Sequence, residues 1–292
     1  MVCKKYCLAG MLFILLAGLK TCWPQSALYS RIGMDTIEDR LRRYGDTDPE
    51  RSKILKQLFE EAGCRDKHLR VQPVPDADAP NIICSLPGET GEIIIVGAHF
   101  DFVDKGEGVA DNWSGASLLP SLFQSLSATT RRHTFVFIGF SDEEEGYIGS
   151  HFYVEQLKKD QLESIQAMIN LDTLGLDSTK VWTSNSNPEL VVLLNRVAAS
   201  MQLPLDTMDV DDIGDSDGNS FSKRGIPIIT LHSVTLGNLH ILHSVDDTYN
   251  AIQMSDYYDT YKLVAAYLAI LDQQELRLAP PEHEAISIEW SE

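Results

Sequence analysis

The segment Ile93–Asp101 reads Ile-Ile-Ile-Val-Gly-Ala-His-Phe-Asp and is the stretch that decides the fold class. A short, unbroken apolar run of this kind is typical of a strand buried on both faces, as in a parallel sheet. Two polar residues, His99 and Asp101, come soon after the run. The carboxyl ends of such strands are where open α/β sheets carry their functional residues, so this order predicts a site beside the strand.

Three other segments repeat the pattern: Thr134–Ile138, Ile165–Leu171 and Ile226–Leu231 are also short and nearly continuously apolar. Helical candidates lie between and after them, at 114–126, 150–157, 188–201 and 255–271. Alternation of strands and helices favours a sheet covered by helices on both faces. The sequence therefore predicts an α/β fold, a three-layer helix-sheet-helix sandwich around a mixed, mostly parallel sheet.

The segments ahead of Ile93 predict an antiparallel edge to this sheet. His68–Val74 and Asn81–Leu86 resemble strands, separated by a proline-bounded turn. Before them, Asp48 and Pro49 precede an apolar periodicity that stops at Gly63, which predicts a helix with Asp48 as its N-cap.

The first residues resemble a secretory signal. Lys4 and Lys5 precede the apolar run Leu8–Leu19, which is too short to span a bilayer comfortably. We therefore expect residues 1–26 to form a signal peptide and the protein to be exported to the periplasm or the extracellular space. Membrane attachment is expected only if the leader is retained or if Cys22 is lipidated.

The remainder predicts one catalytic domain, 27–275, followed by a loosely packed tail, 276–292. No internal repeat and no second core are apparent. Two cysteines, Cys64 and Cys84, certainly remain after removal of the leader. In an exported protein they form either a disulfide or two buried thiols, and the sequence does not decide between these.

Charge limits the possible partners. The 292 residues include 24 Lys and Arg against 43 Asp and Glu, a formal net charge of −19. Such a protein repels phosphate backbones, so nucleic acid is excluded as a partner. The acidic excess either keeps an exported protein soluble or includes carboxylates that bind cations.

Polar residues follow the other apolar runs as well. Asp142–Glu145 comes after the second run and Asp172 directly after the third, while 110–115 and 243–248 carry further polar groups in loops. Buried carboxylates that converge on one edge repel each other unless cations lie between them. Mixed imidazole and carboxylate ligands suit zinc.

Five motifs, in this order, closely resemble the co-catalytic di-zinc exopeptidases of the secreted bacterial leucyl aminopeptidase type, whose relatives include glutaminyl cyclases. They are His99-x-Asp101, Ala110–Gly115 (Ala-Asp-Asn-x-Ser-Gly), Glu143–Ser150 (Glu-Glu-x-Gly-x-x-Gly-Ser), Asn170–Asp172 and a late His243 followed by Asp-Thr. The resemblance covers roughly residues 93–271, and its strength lies in the joint order.

The resemblance implies two zinc ions per chain and a set of ligands. Asp111 would bridge the two ions. Glu144 and His243 would complete one zinc site, and His99 and Asp172 would complete the other.

It also implies the catalytic groups. Glu143 would be the general base, and Asp101 would orient His99 by accepting its second ring N–H. A cis peptide is expected at Asp111–Asn112. The implied activity is that of a metallo-aminopeptidase acting on peptides with a free N-terminus.

Two alternatives remain. A glutaminyl-peptide cyclase would share the fold, but its pattern lacks the Asn-x-Ser-Gly and Glu-Glu-x-Gly-x-x-Gly-Ser motifs present here. A non-catalytic binding module would be expected to have lost ligands, whereas all five ligand positions and the base are intact.

Three details depart from the family's pattern or are ambiguous. Leu242 stands where an aromatic oxyanion donor often precedes the last ligand, and Ser216–Gly218 lacks the usual final histidine of Ser-Asp-His. The acidic run 209–212 and the nearby Asp215 are interpreted as a solvated loop, with binding of a substrate amine or calcium as the alternative.

Taken singly, a histidine is more often structural than a ligand. His240 lies close to the last ligand in sequence and is a candidate for lining the same pocket. The remaining histidines are assigned to structure or solvent: His68, His133, His151, His232 and His283.

Overall fold

The computed structural model describes residues 29–212 and 214–276. The helices are α1 Met34–Leu41, α2 Asp48–Glu61, α3 Ser114–Ser127, α4 Ile148–Glu155, α5 Lys159–Ser164, α6 Pro188–Met201, α7 Gly218–Ser222 and α8 Met254–Leu271. The strands are β1 Leu69–Gln72, β2 Asn81–Leu86, β3 Ile93–His99, β4 Thr134–Phe140, β5 Ile165–Leu171, β6 Lys180–Val181, β7 Asp206–Thr207 and β8 Ile228–His232. None of these helices is long and apolar enough to cross a bilayer. The expected signal peptide, 1–26, and the expected tail beyond Leu276 lie outside the described residues.

The strands form one sheet in the order β1-β2-β4-β3-β5-β8-β6-β7. Its centre, β4-β3-β5-β8, is parallel. The first edge is antiparallel, since β1 pairs with β2 and β2 with β4 in that sense. The mixed, mostly parallel sheet and its antiparallel edge are therefore as predicted, whereas β6 and β7, with two residues each, are too short to leave a pattern in the sequence.

Helices cover both faces of the sheet. Alternate residues of β3 point to opposite sides, so that Ile94 joins one core cluster and Ile95 the other. The larger cluster lies under α1, α2, α3, α6 and α8, and the smaller one under α4, α5 and α7. The three-layer sandwich is confirmed, and its two cores lie on the two sides of a single sheet.

The N-cap prediction for α2 is wrong by one residue. Thr47, not Asp48, is the N-cap, and its hydroxyl accepts a hydrogen bond from the Glu50 backbone N–H. Thr and Asp are both good caps, and proline is tolerated anywhere in a first turn, so the local pattern could not choose between them. Burial and then the neighbouring Asp101 carboxylate raise the pKa of Asp48 to about 7.

Asp48→Asn should therefore stabilise the protein at pH 8 and not at pH 4. The unfolded chain releases this proton at about pH 4, whereas the folded protein holds it to about pH 7, so stability is lost as the pH rises between these values. Asp48 is only half buried, and after allowing for solvent screening we expect a gain of about 1 kcal/mol, or roughly 2–4 °C in melting temperature. Melting curves at both pH values test this, with exposed Asp46→Asn as the control. An equal gain in melting temperature at pH 4 and pH 8 would contradict the raised pKa of Asp48.

A disulfide joins Cys64, which follows α2, to Cys84 in β2, with 6.3 Å between the Cα atoms. Of the two possibilities left by the sequence, the structure has the bonded one. The bond ties the end of α2 to the antiparallel edge of the sheet.

Candidate active site

Four of the predicted site residues lie at the carboxyl ends of three adjacent parallel strands, β4, β3 and β5. His99 is the last residue of β3, and it pairs in register with Phe140, the last residue of β4. The turn after β4 carries Glu143 and Glu144, and Asp172 directly follows β5. Parallel neighbours end at one edge, so these side chains meet as the sequence predicts.

Two loops supply the remaining candidates. Asp111 lies in the turn Val109–Trp113 that leads into α3, where its backbone and that of Asn112 are not helical. The Asp111–Asn112 peptide is cis, as the resemblance implied. His243 follows β8 by eleven residues and has a left-handed backbone, with φ of 55°. Non-glycine residues rarely adopt this conformation, and strained residues of this kind are enriched at functional sites.

Asp111 lies between the two histidines. Its Oδ1 is 3.5 Å from His99 Nε2, and its Oδ2 is 3.2 Å from His243 Nε2. His99 Nε2 also lies 3.7 Å from Asp172 Oδ1, and His243 Nε2 lies 3.1 Å from Glu144 Oε1. All five residues predicted as ligands thus converge, in two groups that share Asp111.

Glu143 and Asp101, the predicted base and orienting residue, both lie against the cluster. A carboxylate oxygen of Glu143 lies within 4.8 Å of a ring nitrogen of His99 and of a carboxylate oxygen of Asp172. Asp101 Oδ1 is 3.5 Å from His99 Nδ1, and Asp101 Oδ2 accepts a hydrogen bond of 3.0 Å from the Glu144 backbone N–H. One carboxylate therefore contacts the residues predicted to serve the two different metal positions.

Electrostatic coupling across this cluster is strong. Burial alone would lower the pKa of His99, but the Glu143 carboxylate and then Asp101, Asp111 and Asp172 raise it well above its ordinary value. Asp111 is fully buried, yet His243 and His99 hold its pKa well below the usual range. Burial raises the pKa of Glu143, and the His99 imidazolium beside it lowers that pKa. Positive charge is thus strongly stabilised at the centre of the cluster.

The donor set fits a metal ion. Glu144 Oε1, His99 Nδ1 and Asp101 Oδ1 are buried. Glu144 Oε1 lies 3.1 Å from His243 Nε2 and Asp101 Oδ1 lies 3.5 Å from His99 Nδ1, but neither contact has the geometry of a hydrogen bond. Two triads have nitrogen and carboxylate oxygen atoms that all lie within 4.8 Å of one another: His99 with Glu143 and Asp172, and His99 with Asp111 and Glu144. The first includes the residue assigned as the base, and the second joins ligands assigned to the two different metal positions. Imidazole nitrogen and carboxylate oxygen in such triads are typical zinc ligands.

Asn112 and Asp247 lie in two of the sequence motifs, but the sequence predicts no role for either. Asn112 Nδ2 donates to the Leu171 carbonyl at 2.9 Å, and its Oδ1 accepts from the Thr173 N–H at 3.1 Å, so it holds the backbone on both sides of Asp172. Asp247 accepts from the N–H groups of Ala110 and Asp111, at 2.7 and 3.1 Å. Both side chains orient a candidate ligand from behind.

The cluster opens into a cleft of about 300 Å³. Leu242 lies in its wall, at the place where the family often has an aromatic residue. Its other apolar and aromatic lining residues are Tyr147, Trp182, Val210 and Val234. An apolar cleft beside polar catalytic groups can accept a substrate side chain while its reacting bond lies against the cluster.

The acidic loop divides into two parts. Asp215 lines the cleft, whereas Asp209 accepts hydrogen bonds from Thr183 and Ser184 at the surface. The interpretation of the run as a solvated loop thus holds for Asp209. Asp217, from the altered Ser-Asp-Gly segment, is fully buried, and neither of its carboxylate oxygens has a hydrogen-bond partner among the described residues.

The other histidines are mostly structural, as predicted. His133 is buried against Asp272, with Nδ1 at 3.2 Å from its carboxylate, and His151 is paired at the surface with Glu155. His232 lines the cleft, but both of its ring nitrogens are engaged by backbone groups. His240, a candidate for lining the same pocket, is exposed and is not among the residues that line the cleft. His283 lies outside the described residues.

Similar proteins are found among aminopeptidases. A "Probable leucine aminopeptidase" of Arthroderma benhamiae is 29% identical over 209 residues, which are 64% of this chain and 56% of that protein. "Aminopeptidase YwaD" of Bacillus subtilis is 31% identical over 140 residues, 46% of this chain and 30% of that protein. The chain therefore spans little more than half the length of the first of these relatives and less than a third of the second.

Solved structures share the fold. The LapA aminopeptidase of Legionella pneumophila has a TM-score of 0.75 at 22% identity, over 83% of this chain and 73% of that one. A glutaminyl cyclase of Porphyromonas gingivalis has a TM-score of 0.65 at 19% identity, over 84% of this chain and 99% of that one. The model of peptidase family M28 matches residues 81–268. The strand-end cluster and its cleft lie within that segment, and the chain belongs to peptidase family M28.

Proposed function

We propose that the protein is a zinc-dependent aminopeptidase that holds two zinc ions and removes N-terminal residues from peptides. The observation that carries this proposal is the placement of Asp111, whose two oxygens face two different histidines at 3.5 and 3.2 Å. A carboxylate between two imidazole-carboxylate groups is the arrangement expected of a bridging ligand in a two-metal site.

The ligands divide between two positions. Glu144 and His243 would hold one zinc ion, His99 and Asp172 the other, and Asp111 would contact both. When bound, the zinc ions would polarise the scissile carbonyl and lower the pKa of the attacking water.

Glu143 is placed to move the proton. It lies beside His99 and Asp172 and lines the cleft, so its carboxylate can reach a water held at the cluster and later a leaving nitrogen. It would take the proton from the attacking water and deliver it to the nitrogen of the leaving amine. Asp101 would keep the His99 ring oriented throughout.

Metal analysis tests the two-zinc site. Purified wild-type protein is expected to hold two zinc ions per chain, and Asp172→Asn about one, because the substitution removes a charged oxygen ligand from a single position. Asp160→Asn, an exposed carboxylate on α5, is the matched control and should leave the content at two. About one zinc in both wild type and Asp172→Asn would contradict the two-metal site.

Glutaminyl-peptide cyclisation is the rival reaction, because glutaminyl cyclases share the fold. The sequence relatives named above favour the aminopeptidase. One assay separates the two. A peptide with N-terminal glutamine should release free glutamine here, whereas a cyclase would return the whole peptide with a closed ring.

We also propose that the protein is exported to the periplasm or the extracellular space. The Cys64–Cys84 disulfide supports this, because such bonds persist mainly in oxidising compartments. Mass spectrometry of the native protein should find a start after the expected leader and no free thiol at these two positions. An intact Met1 together with two free thiols would contradict export.

A further inference from the structure

Arg51 is a fully buried arginine outside the segment that the family model matches. It lies on α2, its side chain has no exposed surface, and residues 81–268 are the matched part of the chain. A buried guanidinium has five N–H donors that must all find acceptors, so its partners reveal what it holds in place.

Three of those partners are backbone carbonyls of the loop 100–108 beside the candidate active site, and the fourth lies just before α2. Arg51 Nη1 donates to the carbonyls of Phe100 and Gly108, each at 3.0 Å, and Nη2 donates to the Glu107 carbonyl. Nε donates to the Gly45 carbonyl at 3.1 Å. One side chain thus binds the loop 100–108 at both of its ends.

Both ends of that loop carry candidate metal ligands. The Phe100 carbonyl lies between His99 and Asp101 in the chain. The Gly108 carbonyl also accepts the Trp113 N–H at 3.2 Å and so belongs to the turn that contains Asp111. Between these ends, residues 104–107 are exposed, and Glu107 among them also bonds outside the loop, to the Asp247 carbonyl at 2.8 Å and from the Tyr249 N–H at 3.2 Å.

Packing limits how far the guanidinium can move. Its central carbon lies 3.9 Å from the centre of the Phe102 ring. Gly108 has a left-handed backbone with φ of 53°, and a Cβ atom there would meet Phe102 Cβ at 2.3 Å. The loop is therefore folded closely around the ring on which Arg51 stacks.

We propose that Arg51 is a positioning residue for the metal site, and that it sets the distance between the His99 strand end and the Asp111 turn. This inference rests on the proposed zinc function. Lysine cannot replace arginine in this role. The planar guanidinium donates in several directions at once, whereas a single ammonium group cannot reach all of these carbonyls.

Zinc affinity of Arg51→Lys, measured by competition with a chromogenic chelator, tests the role. We expect a loss of about 10- to 100-fold, the range typical when groups that orient metal ligands are changed. The matched control is Arg40→Lys. Arg40 is also buried, on α1, but donates to Ser121 and Gln124 of α3, at 2.7 and 2.6 Å, with no contact to a ligand-bearing loop.

A merely structural role would lower the melting temperature in both variants and leave zinc affinity alike in both. An Arg51→Lys affinity equal to that of Arg40→Lys would therefore overturn the inference. If Arg51→Lys does not fold, Phe102→Leu decides, since it removes the stacked ring and keeps every donor. It should weaken zinc binding about threefold or more, and unchanged binding would overturn the inference.

The same titration separates this inference from the proposed function. Wild-type protein that binds no zinc would contradict the zinc site itself. If wild type binds zinc tightly and the Arg51 and Phe102 variants bind it equally well, only the positioning role of Arg51 is contradicted and the zinc site stands.

Discussion

Glu143→Gln should lower turnover about 10²- to 10⁴-fold while the zinc content stays at that of wild type. Glutamine keeps the size and hydrogen-bonding oxygen of the side chain but cannot accept a proton from the attacking water. Because Glu143 is assigned as the base and not as a ligand, its loss should be visible in kcat, with little change in KM.

The neighbouring Glu144→Gln is the matched comparison, since it makes the same chemical change one residue away. Glu144 Oε1 faces His243 at 3.1 Å in the proposed metal position, so this variant should release zinc and lose activity through that loss. Added zinc should partly restore Glu144→Gln and have no effect on Glu143→Gln. Equal loss of zinc from both would mean that base and ligand are wrongly assigned.

A peptide with a free N-terminus should be cleaved about ten- to hundredfold faster than its N-acetylated form. An ammonium group beside a carboxylate in a partly dry cleft gains a charge-assisted hydrogen bond, about 1.5–3 kcal/mol, that the acetylated peptide cannot make. The cleft is rich in carboxylates, and of those that line it Asp215 is assigned neither to a metal nor to the base. The comparison uses kcat/KM for the two forms of one peptide.

Asp215→Asn and Asp209→Asn are a matched pair for this experiment. Both remove one carboxylate from the same loop, but only Asp215 lines the cleft. A smaller preference in Asp215→Asn alone would show that the amine binds there. Equal rates for free and acetylated peptides in the wild type would contradict the aminopeptidase proposal.

Much of the fold can be read from local patterns. A run such as Ile93–Val96 reports burial on both faces, and burial on both faces requires a sheet between helices. Residues at strand ends follow from the same reasoning, because parallel strands end at one edge. This is why His99, Glu143 and Asp172 could be placed at one edge of the sheet from the sequence alone.

Some features depended on choices that local patterns do not resolve. Thr47 and Asp48 are equivalent as caps in the sequence, and only the packing of α2 selects Thr47. The sequence does not show whether Cys64 and Cys84 are bonded or free, because this depends on the distance between their Cα atoms, which is 6.3 Å in the fold. His240 and Asp215 are both close in sequence to site residues, yet only Asp215 reaches the cleft.

The sequence by itself determined the α/β class, the strand ends that carry polar side chains and the membership of a metallopeptidase-like family. The place of Asp111 between two histidines was implied by the resemblance, and the structure supplies its distances. Tertiary structure alone decided that Arg51, Asn112 and Asp247 hold the surrounding backbone. The physical reason is that periodicity records whether a residue is buried, whereas a contact across many residues depends on how whole elements pack. Arg51 lies 49 residues from the Phe100 carbonyl it binds, and in the sequence it is one more charged residue on a helix.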